Sequence, residues 1–291
     1  MIAEVFLDIP YELGEGPLWH DERGELFWCS ILACELNACD AAGGNHRSWA
    51  FGEAVSAAAI VDRDTLLVAT ASGLSRFDIG SGAREPVCSF PETETPVRSN
   101  DGRAGPGGAF WISTMGHNAE PAAGTLYRFA DDVLSEKRHR MTIPNATCFS
   151  PDGAWAYFSD LPTQTIMRWH LDPDSGDSIG EPEMFIDLSS ENLMPDGAVI
   201  DGEGCIWNAQ WGAGRVARYD PNGRFIEEVT VPAAQVTCPA FGGPDMKTLF
   251  VTSAWQGMNA EARRADPLAG AVFAAQVSVA GRPEYRVDLR P

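Results

Sequence analysis

The sequence predicts an all-β protein, a six-bladed β-propeller formed by a single domain over residues 1–291. Two observations lead to this prediction: helical periodicity is almost absent, and one pattern recurs six times at spacings of 40 to 50 residues. Only Met258–Arg264 has a pattern that favours a short helix, because Gly or Pro interrupts nearly every other candidate. Several short strands per repeat of this length are typical of propeller blades.

Each repeat begins with a run of small or polar residues, continues through a turn, and ends in an apolar run rich in aromatic residues. We interpret the two runs as the first and second strands of a blade. The second runs reach their characteristic apolar residue at Trp28, Val68, Trp111, Tyr157, Trp207 and Phe250.

Third strands are predicted where an apolar residue alternates with Arg or Ser after the second run. These segments are Gly73–Asp78, Gly124–Phe129, Thr165–Trp169 and Gly214–Asp220. Six repeats fill the chain, so its two ends must complete one blade together. The residues before Leu13 are therefore predicted to pair with Ala271–Val277 and close the ring.

The charge balance restricts the classes of partner. The 291 residues include 41 Asp and Glu against 21 Lys and Arg, a formal net charge of −20. A field of this sign repels phosphate backbones and anionic bilayers, so neither nucleic acid nor a membrane is an expected partner. We expect a monomer or a weak homo-oligomer.

The first residues carry acids where a secretory signal carries Lys or Arg, and no apolar stretch reaches the ~20 residues of a membrane span. The seven cysteines form no C-x-x-C pair and no zinc spacing. We therefore expect a cytoplasmic protein with reduced cysteines.

Four oxygen-bearing side chains share one position in the repeat. Glu15, Asn100, Asn145 and Asp196 each lie 11 to 13 residues before the characteristic residue of their second run. In a propeller the first strands line the central channel, so these side chains should converge at its mouth. Carboxylate and amide oxygens suit Ca²⁺, Mg²⁺ or Mn²⁺ better than a structural zinc. Asp152 also lies in a Pro-Asp-Gly sequence, but between two strands of one blade, where a β-turn is predicted.

Several motifs resemble those of the SMP-30/gluconolactonase/regucalcin family of sugar lactonases. The similarity covers about residues 10–280, in the order expected of the family, whose fold is a six-bladed propeller. The motifs that carry it are Leu13-Gly-Glu-Gly-Pro-Leu-Trp19, Arg98-Ser-Asn-Asp-Gly102, Ser113-Thr-Met115, Gly124-Thr-Leu-Tyr127, Ser150-Pro-Asp-Gly153, Pro195-Asp-Gly197 and Phe241-Gly-Gly243.

This resemblance implies roles for individual residues. Glu15, Asn145 and Asp196 match the family's metal ligands, and Asp196 is also its candidate general base. Arg98 and Asn100 match substrate-contacting positions, while Glu120 resembles a loop acid that touches sugar hydroxyls. One departure from the family lies next to a ligand, where Ala146 follows Asn145 and the family often has Asn-Gly.

The implied activity is metal-dependent hydrolysis of an aldono-1,4- or 1,5-lactone to the aldonic acid in a cytoplasmic sugar-oxidation pathway. One divalent ion is expected as cofactor, with Ca²⁺ favoured and Zn²⁺, Mn²⁺, Mg²⁺ or Fe²⁺ as alternatives. Two other functions stay open: a hydrolase of aryl esters or phosphotriesters with the same architecture, and a non-enzymatic calcium-binding propeller. The first would need a more apolar mouth, and Arg98 beside the ligands argues against the second.

Overall fold

The computed structural model describes residues 1–290 and contains six four-stranded antiparallel sheets, the blades of a six-bladed β-propeller. The first three blades are formed by β2 (Gly14–His20), β3 (Glu25–Ser30), β4 (Glu35–Asp40) and β5 (Arg47–Ala50); by β6 (Val55–Ile60), β7 (Thr65–Thr70), β8 (Gly73–Asp78) and β9 (Arg84–Ser89); and by β10 (Val97–Gly105), β11 (Ala109–Gly116), β12 (Gly124–Ala130) and β13 (Val133–Met141).

The other three blades are formed by β14 (Pro144–Phe149), β15 (Trp155–Asp160), β16 (Thr165–His170) and β17 (Glu183–Asp187); by β18 (Met194–Ile200), β19 (Ile206–Trp211), β20 (Arg215–Tyr219) and β21 (Phe225–Thr230); and by β22 (Val236–Gly242), β23 (Thr248–Ser253), β24 (Val272–Gln276) and β1 (Glu4–Leu7).

The two chain ends close the ring as predicted. Strand β1 pairs antiparallel with β24, with Glu4 opposite Ala274, and so supplies the outer strand of the sixth blade. The first strands of successive blades contact one another around the whole circle, from β2 through β22 and back to β2. The predicted short helix is present as α1 (Ala260–Ala265). It begins two residues later than expected because the Asn259 side chain caps it, accepting from the N–H groups of Glu261 and Ala262. No helix within residues 1–290 has the length and apolar character needed to cross a membrane.

The hydrophobic core is divided into six clusters, one at each interface between neighbouring blades. This arrangement arises because successive side chains of each second strand point to opposite faces of the sheet. In β3, for example, Leu26 and Trp28 pack towards the sixth blade, whereas Phe27 and Cys29 pack towards the second. Both faces of every blade are therefore buried, which explains why the second runs are apolar throughout.

Every first strand is interrupted by a β-bulge near its beginning. The pairing with the second strand shifts between Glu15 and Leu18, Val55 and Ala57, Ser99 and Gly102, Asn145 and Cys148, Pro195 and Ala198, and Val236 and Pro239. A bulge redirects the side chains that it displaces from the ladder. Asp196 lies within β18, in the bulge itself.

The C-terminal residues cross the end of the channel opposite these bulges. This segment, residues 277–290, bonds to turns between first and second strands: Gly202 N–H donates to Ala280 O, and Arg282 Nη1 donates to Pro151 O. Arg103 of β10 forms an ion pair with Glu284, and both side chains are about nine-tenths buried. Removing one partner of a buried pair costs about 3–5 kcal/mol, so this contact fixes the segment firmly across the channel.

Candidate metal centre and substrate cavity

A cavity of about 400 Å³ opens at the bulge end of the central channel. Five of the six predicted site residues line it, and they come from four blades: Glu15, Arg98, Asn100, Asn145 and Asp196. The bulges explain this convergence, because each of these residues except Arg98 lies at a register shift of its first strand. The shared position in the repeat therefore predicted correctly that Glu15, Asn100, Asn145 and Asp196 lie close together.

Glu15 is held by its own bulge. The N–H of Gly16 donates to Glu15 Oε2 at 2.9 Å. Gly16 has φ +54°, and a Cβ at this position would lie 2.6 Å from the carbonyl oxygen of Ser56 in the next blade. Glycine is thus required after Glu15, both for the left-handed backbone and for the close approach of the second blade.

Arg98, Asn100 and Asn145 form a buried chain of hydrogen bonds. Arg98 Nη1 donates to Ser99 O at 2.8 Å and to Asn100 Oδ1 at 2.9 Å. Asn100 Nδ2 in turn donates to Pro144 O at 2.9 Å and to Asn145 Oδ1 at 3.2 Å. Asn100 therefore links the guanidinium group of the third blade to the amide oxygen of the fourth.

Three carboxyl groups share this region with the guanidinium groups of Arg98 and Arg103. Burial and the charge of Asp101 raise the pKa of Glu15 to about 8. Burial, followed by the charges of Glu15 and Asp101, raises the pKa of Asp196 well above its usual value, and burial also raises that of Asp101. Burial lowers the pKa of Arg98 to about 10, although Glu15 and Asp196 oppose this effect. The carboxylates thus repel one another, and Arg98 donates to neutral oxygens.

Such a site fits a divalent cation. Glu15, Asn145 and Asp196 offer two carboxylates and one amide oxygen at the cavity wall, the ligand types that hard cations prefer. A cation there would offset the repulsion between the buried carboxylates, which otherwise favours their neutral forms.

Known proteins resemble this chain along nearly its whole length. The sequence model of the SMP-30/Gluconolactonase/LRE-like region matches residues 13–255. The chain belongs to this family. An L-arabinolactonase of Azospirillum brasilense is 38% identical over 99% of this chain and 96% of its own length. A 6-deoxy-6-sulfogluconolactonase of Pseudomonas putida is 34% identical over 94% of both chains.

Solved structures of the family agree in fold. The crystal structure of a calcium-binding protein, regucalcin, from Agrobacterium tumefaciens superposes with a TM-score of 0.95 at 40% identity. It covers 99% of this chain, and this chain covers 97% of it. The predicted family membership and the six-bladed propeller are both confirmed.

Glu120 stands apart from the other predicted site residues of this SMP-30-like chain. It does not belong to the cavity lining, and its carboxylate accepts from the backbone N–H of Asn118 at 3.0 Å and from Asn118 Nδ2 at 2.9 Å. It lies against Gly116, where a Cβ would come within 2.1 Å of Glu120 Oε2. In this structure Glu120 shapes the loop that presents His117 and Asn118 to the cavity.

The departure from the family's Asn-Gly sequence has a backbone consequence. Ala146 is fully buried and adopts φ +59°. An L residue in this left-handed region costs about 1–2 kcal/mol relative to the right-handed one, and glycine would not. The bulge after Asn145 therefore keeps its shape in this chain at some cost in backbone strain.

A second acidic cluster lies outside the cavity. One ligand atom each of Asp201, Glu203 and Cys205 lie within 4.8 Å of one another. Arg218 Nη2 is 2.7 Å from an oxygen of both Asp201 and Glu203, so a guanidinium group already bridges the two carboxylates. We interpret this cluster as a structural link. The Asp152 carboxylate likewise serves a turn, because it accepts from Ser150 Oγ and from the N–H of Ala154.

Sequence reasoning missed several residues of the cavity region. Asp101 lies in the bulge beside Asn100 and accepts from the N–H of Thr147 at 2.7 Å. Its place in the Arg98–Gly102 motif was visible, but its contact with the fourth blade was not. His117, Trp211 and Gln256 also line the cavity, and each lies in or just before a loop at the mouth. Their distance from the repeated pattern left no signal in a single sequence.

Proposed function

We propose that this protein hydrolyses an aldono-1,4- or 1,5-lactone to the aldonic acid, using one divalent cation held by Glu15, Asn145 and Asp196. The observation that carries the proposal is the convergence of these oxygen donors with Arg98 in one cavity. The enzyme class, a lactonase, is that of the relatives from Azospirillum brasilense and Pseudomonas putida. Their names support a sugar lactone as the substrate class.

The cavity has the size of such a substrate. Its volume of about 400 Å³ lies within the range of about 300–1,000 Å³ that is common for small-molecule pockets. A single sugar lactone with some water fills this space.

The chemistry divides among the chain's residues as follows. A bound divalent cation would act as a Lewis acid on the lactone carbonyl, whose oxygen becomes negative as water attacks. Asp196 would take a proton from the attacking water as the new C–O bond forms. It would then return the proton to the ring oxygen as the ring C–O bond breaks, which leaves a hydroxy acid.

Arg98 and Asn100 position the substrate. Within residues 1–290, the hydrogen bonds of Arg98 use only Nη1, so Nε and Nη2 can donate to lactone oxygens or to the new carboxylate. Asn100 holds Arg98 and Asn145 in register with each other. We assign contact with the distal hydroxyl groups to the loop that Glu120 shapes, through His117 and Asn118 at the cavity wall.

The choice of metal ion and the cellular compartment are supported by separate observations. The related crystal structure of a calcium-binding protein, regucalcin, supports Ca²⁺, and the all-oxygen donors equally allow Mg²⁺ or Mn²⁺. Zn²⁺ and Fe²⁺ stay as alternatives because affinity rises along the transition series. Seven free cysteines, five of them buried, support a reducing compartment such as the cytoplasm. We propose that the protein acts there in sugar oxidation as a monomer or weak homo-oligomer.

One observation favours a second candidate function. Met115, Ile143, Leu161 and Trp211 give part of the cavity an apolar wall. This wall suits an aryl ester or a phosphotriester better than the polar side does. Hydrolysis of such esters at the same centre is therefore the alternative to be compared with lactone hydrolysis.

The Arg98→Lys variant tests the proposed substrate contact. We expect kcat/KM for lactones to fall by an amount equivalent to about 1–3 kcal/mol, because a point charge cannot replace a planar two-pronged donor. Steady-state kinetics, metal analysis and thermal melting of the purified variant provide the measurement. Metal content and melting temperature should stay close to wild type.

The opposite pattern would contradict the assignment. If Arg98 mainly braces the blades, the variant should melt at a lower temperature while its kinetics change little. Arg84→Lys is a matched control, because Arg84 lies over the ring of Phe51 on an outer strand, far from the cavity.

A further inference from the structure

Asn208 is a completely buried polar residue on β19, directly behind the strand that carries Asp196. Its Nδ2 donates to the carbonyl oxygen of Asp196 at 2.9 Å and to that of Gly197 at 3.2 Å. Asp196 and Gly197 are the two residues that the β18 bulge displaces from the ladder. One side chain therefore binds both carbonyl groups of the bulge.

In two other blades a hydroxyl group, which is smaller than an amide, binds a carbonyl of the bulge. A bulge leaves backbone carbonyls without a partner in the ladder, and buried carbonyls need one. In the third blade Ser113 Oγ donates to Asp101 O at 2.9 Å, and in the sixth Thr252 Oγ1 donates to Cys238 O at 3.1 Å. Each hydroxyl reaches one carbonyl of its own bulge, whereas Asn208 reaches two.

The bulge is also confined on its other side. A Cβ on Gly197 would lie 2.4 Å from the sulfur of Cys238 in the sixth blade. Cys238 therefore limits movement towards the sixth blade, and the two bonds from Asn208 hold the backbone towards β19. Together they set the direction in which the Asp196 side chain leaves the bulge.

The amide of Asn208 also lowers the stability of the folded chain, because one of its polar atoms is unpaired in the part of the chain that the structure describes. Its Oδ1 has no hydrogen-bond partner within residues 1–290, although it is buried. A buried acceptor without a partner costs about 1–3 kcal/mol, so an apolar side chain of the same shape would remove that penalty. A buried polar atom of this kind calls for an explanation, and the clamp on Asp196 and Gly197 supplies one.

We propose that Asn208 is a positioning residue: by clamping the carbonyls of Asp196 and Gly197, it fixes the Asp196 carboxylate for metal binding and for proton transfer. The inference rests on the proposed function for the cation at Asp196 and for the kinetic consequence. Its effect on metal affinity can be measured whether or not the substrate is a lactone.

The Asn208→Leu variant tests the proposal, because leucine keeps the branched shape but removes both donors and the unpaired acceptor. Calorimetric titration of chelator-stripped protein with Ca²⁺ and with Mn²⁺ gives the affinity. We expect it to fall 10- to 100-fold, the usual effect of losing a group that orients a metal ligand. The value of kcat/KM should fall by a similar factor. The melting temperature should fall, because two bulge carbonyls lose their donor while only one unpaired acceptor is removed.

Thr252→Val is the matched control. It removes a buried bond to a bulge carbonyl in the sixth blade, where the displaced residues Thr237 and Cys238 offer no proposed ligand. This variant should melt at a lower temperature and keep wild-type affinity for both ions.

Several results would overturn the proposal. Wild-type metal affinity in folded Asn208→Leu is the first, and a wild-type chain that binds neither ion is the second. If Asn208→Leu does not fold, Asn208→Ser, which keeps one short donor, replaces it with the same criterion. Tight metal binding without lactone hydrolysis in the wild type would reject the proposed function, while the affinities of the variants would still decide the role of Asn208.

Discussion

Asp196→Ala is expected to lower kcat/KM for lactones by about 10³-fold or more, because it removes a proposed metal ligand and the proposed base together. Glu15→Gln should cause a loss of similar size, since a neutral amide binds a divalent cation more weakly than a carboxylate. Both variants should stay folded. In the metal-free protein, burial and the charge of Asp101 disfavour the charged form of Glu15. The neutral side chain of Glu15→Gln avoids this penalty, so the melting temperature should stay unchanged or rise.

Asp152→Ala serves as the control for these variants. Its carboxylate closes a turn through Ser150 and Ala154, so its loss should cost about 1 kcal/mol of stability and leave kinetics near wild type. Kinetics, melting and metal analysis on the three purified variants give the comparison. Unfolding of Asp196→Ala at room temperature would show a structural role for Asp196, and retention of its activity would show that Asp196 is not needed for catalysis.

Removal of the metal is expected to abolish lactone hydrolysis. The carboxylates and the amide oxygen at the cavity wall bind hard cations, so Ca²⁺, Mg²⁺ or Mn²⁺ should restore the rate after chelation and dialysis. Softer ions are also expected to work to some extent. Because the ion binds only the folded chain, saturation at 100 times Kd should stabilise it by about 2.7 kcal/mol. Full activity in protein shown by elemental analysis to be metal-free would contradict the metal-dependent mechanism.

The repeated part of the fold could be predicted from the sequence because each blade imposes the same pattern. The third strand predicted at Gly73–Asp78 has those bounds in the structure, and the chain ends pair as expected. The common position of Glu15, Asn145 and Asp196 in the repeat likewise identified residues that meet in one cavity. Periodicity carries this information because it reports on strands and on the channel axis.

Features outside the repeat could not be predicted in the same way. The C-terminal segment bonds mainly to backbone groups of turns, such as Pro151 O, which leave no pattern in the side chains. The register of a bulge is equally hidden, so the bond from Thr147 to Asp101 and the clamp of Asn208 on Asp196 became visible only in three dimensions. Glu120 lies in a loop whose conformation depends on a bond to Asn118. The family pattern alone did not predict its position outside the cavity lining.

The most direct test of the central claim is the rate of acid release from a panel of 1,4- and 1,5-aldonolactones, compared with an aryl ester and a phosphotriester. Wild-type protein reconstituted with Ca²⁺ or Mn²⁺ is used, and the spontaneous rate of each compound is subtracted. The account predicts that at least one lactone is hydrolysed with kcat/KM of about 10⁴ M⁻¹s⁻¹ or higher, well above either ester. An ester that reacts faster than every lactone, or lactone rates equal to the spontaneous ones in metal-loaded protein, would contradict it.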